Sequence, residues 1–202
     1  MKNRNFIILC LIGIFTILGI NTVMKRQNIP SMKSAEELVA GDISNQFFVR
    51  KERIADFIYD FDPTLSEEYI DRIVIAAMKT SQPELIIAIT LRESSFNKSA
   101  ISHKGAKGLT GIIPRYWHKA LKKAGIIRGM DDYYKIEQNL AACDFIMNTL
   151  MSEYPNKRDA LRFYNGGHAG LRWKVCARYA DDVLEYERQL KNKDVYIIAK
   201  SG

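Results

Sequence analysis

The chain has 202 residues, and about 170 of them follow an N-terminal apolar segment, the size of one ordinary domain with a sizeable core. Its 30 Lys and Arg against 23 Asp and Glu leave a formal charge of +7, a mildly basic balance whose cations read as interspersed with acids, which argues against a dedicated nucleic-acid surface. The absence of repeats, Pro/Ser-rich tracts and long charge blocks excludes a disordered chain.

Lys2 and Arg4 precede an apolar run over residues 6–20, FIILCLIGIFTILGI, which extends weakly through Val23 and Met24 to Lys25 and Arg26. Such a segment is an export or anchoring signal. It is long for the core of a signal peptide and just short of the roughly 20 residues that cross a bilayer comfortably. Gly19, Asn21 and Thr22 approximate a small-x-small cleavage site poorly, which favours an uncleaved signal anchor over a removed signal peptide for residues 1–26. Basic pairs on both sides of the run leave its orientation open. Leu9 stands before Cys10 where a lipidation site needs a small residue.

Residues 27–44 are polar and mixed and read as a spacer, with the folded domain over 45–202. An exported domain meets oxidising conditions, so Cys143 and Cys176, on separate predicted helices, are open to pairing. His103, His118 and His168 stand far apart and share no helix face, so no metal site is expected.

From about Gln46 a helical period takes over. Phe47, Phe48, Ile54, Phe57, Ile58 and Phe61 mark a first amphipathic helix ending before Pro63, and Tyr69, Ile70, Ile73, Val74 and Ala77 mark a second. For the third, Ser81 with Glu84 three residues on forms a capping box and Pro83 sits in the first turn. Further helices are expected at 115–124, 136–153, 157–164 and 172–190, and DVYIIAK near the end reads as a short extended tail. Strand signals are otherwise sparse, so the fold class is mainly α.

Three elements carry chemistry. On the third helix Ile86, Ile89 and Glu93 fall at i, i+3 and i+7, so the Glu93 carboxyl continues the core-facing stripe near the helix's C-terminal end. Desolvation and the negative end of the helix dipole both raise the pKa of a carboxyl placed there, which is what a general acid requires. Next, Gly105, Gly108 and Gly111 recur every third residue between two helices and let backbone approach a ligand or another segment closely. The spacing matches no phosphate loop. Last, Phe163-Tyr164-Asn165-Gly166-Gly167 is placed where a helix is expected to stop.

Together, in this order, these elements resemble SLT-type lytic transglycosylases, relatives of goose-type lysozyme. The family's helix-end Glu-Ser-x-Phe-Asn is matched by Glu93-Ser94-Ser95-Phe96-Asn97, its glycine segment by Gly105 to Ile112, its Asn-led helix by Asn139 to Leu150, and its Ala-Tyr-Asn-Gly-Gly by Phe163 to Gly167. Tyr179 and Val183 resemble its closing Tyr-x-x-x-Val, so the motif core spans 81–190. The family's Gly-Leu-Met-Gln-Ile reads here Gly108-Leu109-Thr110-Gly111-Ile112, without the glutamine amide that lines the sugar cleft.

The resemblance implies a lysozyme-like helical domain that cuts the glycan strands of peptidoglycan, with Glu93 first as acid and then as base. It implies that Tyr164 holds and polarises Glu93, and that Tyr179 also approaches the acid. Ser94 and Asn165 would supply hydrogen bonds in the cleft, with Gly108, Leu109 and Gly111 in its wall. No metal or organic cofactor is called for, and basic groups around the groove would meet the acidic peptide stems of the wall. Partners would be the glycan strands, the inner membrane through the N-terminal helix, and an envelope-spanning secretion, conjugation or phage machine. The domain would lie in the cell envelope, in the periplasm or outside, or be secreted after signal cleavage. Two other readings stay open: a goose-type hydrolytic muramidase, and a wall-binding module that does not cleave.

Overall fold

The computed structural model describes residues 35–192, so the expected signal anchor at 1–26 and the extended tail lie outside the described residues. Within them run seven α-helices: α1 Ala35–Phe61, α2 Glu67–Ala77, α3 Pro83–Ser94, α4 Pro114–Lys123, α5 Ile136–Glu153, α6 Lys157–Gly170 and α7 Lys174–Lys191. None is long and apolar enough to cross a membrane. The fold is mainly α, as the periodicity requires.

Helix α1 begins at Ala35 rather than near Gln46, so part of the stretch read as a spacer is helical. Residues 35–45 are mixed with polar and acidic residues and Gly41, yet Leu38, Val39 and Ile43 keep a helical spacing that leads on to Phe47, and there is no proline to stop a helix. At the other end Pro63 disfavours helix for the residue before it, and Asp62 turns the chain by accepting bonds from Thr64 N at 3.0 Å and Thr64 Oγ1 at 2.6 Å.

Helix α3 is the central one. Every residue from Pro83 to Leu91 is buried, the pattern of a helix apolar all round and covered on all sides. It packs on α7, which in turn packs on α6, while α5 closes against α2 and α6.

The capping box expected at the start of α3 does not form. Gln82 is the capping residue, and Ser81 Oγ donates instead to Asp144 Oδ1 on α5 at 2.6 Å. Glu84 turns to α1, where Arg50 Nε donates to it at 2.6 Å and Arg53 approaches at 3.3 Å. Burial alone would raise the Glu84 pKa, but the hydrogen bond and charge of Arg50 outweigh it and hold the carboxyl below its ordinary value. Charge-assisted tertiary bonds are stronger than a local cap, and a nearly fully buried carboxylate needs such partners.

Between α3 and α4 the chain makes a small antiparallel knot in which Lys107 bridges to both Ile101 and Ile112. A short 3-10 helix, Met130–Tyr134, follows α4. Helix α6 continues past Asn165 and breaks only at Gly167, at φ 60° and ψ −153°, so Tyr164 sits inside the helix and not at its junction with a loop. Cys143 and Cys176 are both buried and free, so the two thiols are not paired. Cys176 donates to Asn165 Oδ1 at 3.1 Å.

Candidate active site

Glu93 is the penultimate residue of α3, and the helix ends abruptly just after it. Ser95 at φ 50° and Phe96 at φ 64° both adopt left-handed backbone, a conformation that costs energy for residues other than glycine. The Phe96 ring holds this turn in place: it is buried to 1 % exposure, meets Phe61 edge-on at 5.9 Å, and its carbonyl accepts a 2.7 Å bond from Tyr69 Oη. The Glu-Ser-x-Phe-Asn motif is therefore a strained helix stop, locked by its aromatic residue, that ends α3 beside the carboxyl.

The glycine segment lies directly on that carboxyl. Gly111 stands at φ +63°, and a Cβ placed on it would come within 2.5 Å of Glu93 Oε2. Gly108, at φ +75°, leaves no more room, because a Cβ there would lie 2.0 Å from the Tyr133 carbonyl oxygen and 2.3 Å from Asn139 Nδ2. Both glycines are demanded by close approach as well as by backbone conformation.

Asn139, fully buried on α5, fastens the segment. Its Oδ1 accepts from Thr110 N at 2.9 Å and Thr110 Oγ1 at 2.7 Å, and its Nδ2 donates to the Tyr133 carbonyl at 2.7 Å and the Lys107 carbonyl at 3.3 Å. From the α3 side Ser94 Oγ donates to the Leu109 carbonyl at 2.7 Å. We expect Asn139→Leu to lower unfolding free energy by about 3 kcal/mol, since Thr110 and the Tyr133 carbonyl would be left buried and unpaired. Urea denaturation measures this.

Two phenols stand against the carboxyl and the glycine segment, with different attachments. Tyr164 Oη on α6 donates to the Thr110 carbonyl at 2.7 Å, so it braces the glycine segment. The Cys143 thiol lies within hydrogen-bonding reach of Tyr164 and Thr110, and burial pushes its pKa up to about 12, leaving it neutral. Tyr179 on α7 is the phenol that interacts with Glu93 directly. Its hydroxyl is buried and makes no well-formed hydrogen bond among the described residues, so its hydrogen-bonding capacity is left over for the carboxyl beside it.

Desolvation by these surroundings raises the Glu93 pKa to about 7, against the smaller opposing effects of the Tyr179 hydroxyl and the Arg92 charge. Arg92 is drawn off to Asp182 at 3.1 Å and lies over the Tyr179 ring at 5.5 Å. The side chain of Glu93 remains partly open to solvent. A half-buried carboxyl that is still about half protonated near neutral pH, with a phenol beside it, is equipped to deliver a proton to a bound oxygen.

The structure thus brings together Glu93, Gly111, Tyr164 and Tyr179. Ser94, Gly108 and Leu109 fix the wall from behind, Leu109 being fully buried. Asn165 is exposed and is engaged by Cys176. The structural importance of Asn139 and Thr110 is not evident from their types. The available signal was the motif position of Asn139 opposite a glycine segment whose backbone donors needed a buried acceptor.

No match is found among curated proteins. A sequence model of the Transglycosylase SLT domain matches residues 72–185, more than half of the chain, and the match includes Glu93, Gly111, Asn139, Tyr164 and Tyr179. The chain belongs to the SLT transglycosylase family.

Proposed function

We propose that this protein is a lytic transglycosylase that cleaves the β-1,4 bond between N-acetylmuramic acid and N-acetylglucosamine in peptidoglycan strands, and that Glu93 is its catalytic acid and base. The observation that carries this reading is the Glu93 carboxyl itself, set at the strained end of α3 against Gly111 and Tyr179 with its pKa raised to about 7.

The protonated carboxyl gives its proton to the glycosidic oxygen as the bond from that oxygen to the anomeric carbon breaks. The substrate's acetamido oxygen stabilises the positive anomeric carbon. The Glu93 carboxylate then takes the proton of the sugar's C6 hydroxyl while that oxygen bonds to the anomeric carbon, closing a 1,6-anhydro ring. The acid is restored and no water is consumed. One carboxyl suffices, in contrast to the usual pair. The Tyr179 hydroxyl, beside the carboxyl, donates to it once it is ionised, and Tyr164 acts as a positioning residue through the Thr110 carbonyl. Support for a cell-envelope location, with the domain outside the cytoplasmic membrane, comes from the apolar run over residues 6–20.

Gly111, in place of the expected glutamine, favours a second reading in which the domain binds wall without cutting it. Digestion of peptidoglycan by the full chain, followed by mass spectrometry of the released muropeptides, separates these readings. Ends lighter by one water than reducing sugars are expected. Reducing ends would replace the proposal with hydrolysis, and undigested but bound wall would replace it with a binding role.

A further inference from the structure

The positive charge of the chain is concentrated where its sequence runs past the active site. Residues 94–130 hold eight Lys and Arg and no Asp or Glu, so the remaining chain carries 22 cations against 23 acids and is close to neutral. Over this segment the cations are gathered, not interspersed with acids as expected. Among the described residues none of the eight forms an ion pair with a carboxylate. Lys107 is bonded to Tyr134 Oη at 2.7 Å, and Lys98 lies over the Tyr69 ring at 5.9 Å.

Helix α4 gathers four of these cations on one face. At 100° per residue, Arg115, Lys119, Lys122 and Lys123 project to one side. Pro114, Trp117 and Leu121 project to the other, where Leu121 is fully buried and Trp117 packs on the core. His118 Nδ1 lies 3.2 Å from Tyr133 Oη and ties the helix to the 3-10 turn. All four cations are exposed. Tyr116, 64 % exposed, adds an aromatic ring to the same face, with the Arg115 guanidinium 4.6 Å from its centroid.

Lys122 and Lys123 also complement the helix dipole, but that accounts for neither Arg115 in the first turn nor the complete lack of acids. The four charges span about 12 Å along the axis. The helix begins three residues after Gly111, the residue that touches Glu93.

We propose that the outer face of α4 is a docking surface for the carboxylate-bearing stem peptides of the glycan strand, positioning that strand across Glu93. This rests on the reading that the strand is the substrate. Charge complementarity selects the occupant: an extended polymer carrying carboxylates at intervals would meet a row of exposed cations that have no carboxylate partner among the described residues, with an aromatic ring among them. The attraction acts mainly on encounter and register, so it should weaken with added salt.

The test uses the full chain in detergent and the variant R115Q/K119Q/K122Q/K123Q, whose glutamines keep helix propensity at exposed positions. Binding to sedimented peptidoglycan sacculi is measured with their stem carboxylates free or chemically amidated, and turnover is measured on a glycan oligomer without stems. Wild type should bind the free-carboxylate wall about tenfold more tightly than the amidated wall at low salt, as expected for several exposed ion pairs. The variant should lose that preference and keep its turnover on the stem-free oligomer. A charge-conserving variant, R115K/K119R/K122R/K123R, should retain the preference.

Equal preference in wild type and the glutamine variant would overturn the docking surface, as would loss of binding to both walls alike. A glutamine variant that discriminates normally between walls but no longer retains duplex DNA would overturn it in favour of a nucleic-acid partner. Failure of wild type to turn over any glycan would refute the enzymatic reading instead, and the sedimentation result would still decide the surface.

Discussion

Glu93→Gln is expected to remove glycan cleavage, lowering the rate by about 10³-fold or more, while the protein stays folded. Glutamine matches the carboxyl in shape but has no acidic proton to transfer, and proton transfer of this kind is worth on the order of 10²–10⁴ in rate. The neutral amide should also be tolerated, because the site opposes charge at this position. The sign of the pH effect follows from the shift. The folded-state pKa of Glu93, about 7, lies above its ordinary 4.5. The folded protein therefore holds this proton where the unfolded chain has lost it. Stability owed to this group is full below about 4.5, declines as pH rises to about 7, and is constant above. Thermal melts between pH 4 and 8 should show that decline in wild type, and the glutamine variant should lack this component of it. A fully active glutamine variant would remove Glu93 from the reaction.

Gly111→Gln, which installs the glutamine that the family resemblance leads one to expect at this position, should cost activity and not improve it. We expect a loss of at least about 100-fold, the scale on which an ångström of misplacement acts on a catalytic group. The added Cβ would sit 2.5 Å from Glu93 Oε2, on backbone at φ +63° that side chains disfavour. Either the segment lifts away, straining the Asn139 bonds to Thr110, or the carboxyl is pushed aside from Tyr179. Gly111→Ala isolates the steric part and should fall nearly as far. Steady-state turnover on purified glycan strands measures both. A gain of activity in Gly111→Gln would mean that the segment yields easily and that the missing amide, not close packing, limits turnover.

Much of this site is legible in the sequence because its parts are local. A carboxyl continuing an apolar stripe at a helix end, glycines every third residue, and Tyr-Asn-Gly-Gly are each set by neighbours in the chain. What the sequence hides is set by partners far away. Ser81 and Glu84 have the spacing of a capping box, yet Asp144, Arg50 and Arg53, on other helices, offer them stronger bonds. Asn165 and Gly166 look like a helix stop, but packing against α7 carries α6 on to Gly167. Nothing local marks Tyr179 as the phenol against Glu93 and Tyr164 as the brace on Thr110. That division depends on how α6 and α7 are placed around the glycine segment. The basic face of α4 is hidden in the sequence for another reason, since its cations are separated by the Trp117, His118 and Leu121 that anchor the helix.

The most direct test is titration of the Glu93 side-chain carboxyl in the full chain by carbon-13 NMR, with Glu93→Gln identifying its resonance. A midpoint near 7 is predicted, with the basic limb of the cleavage rate following it. A midpoint near 4.5 would contradict the account, because the carboxyl would then be ionised when the glycosidic oxygen needs its proton.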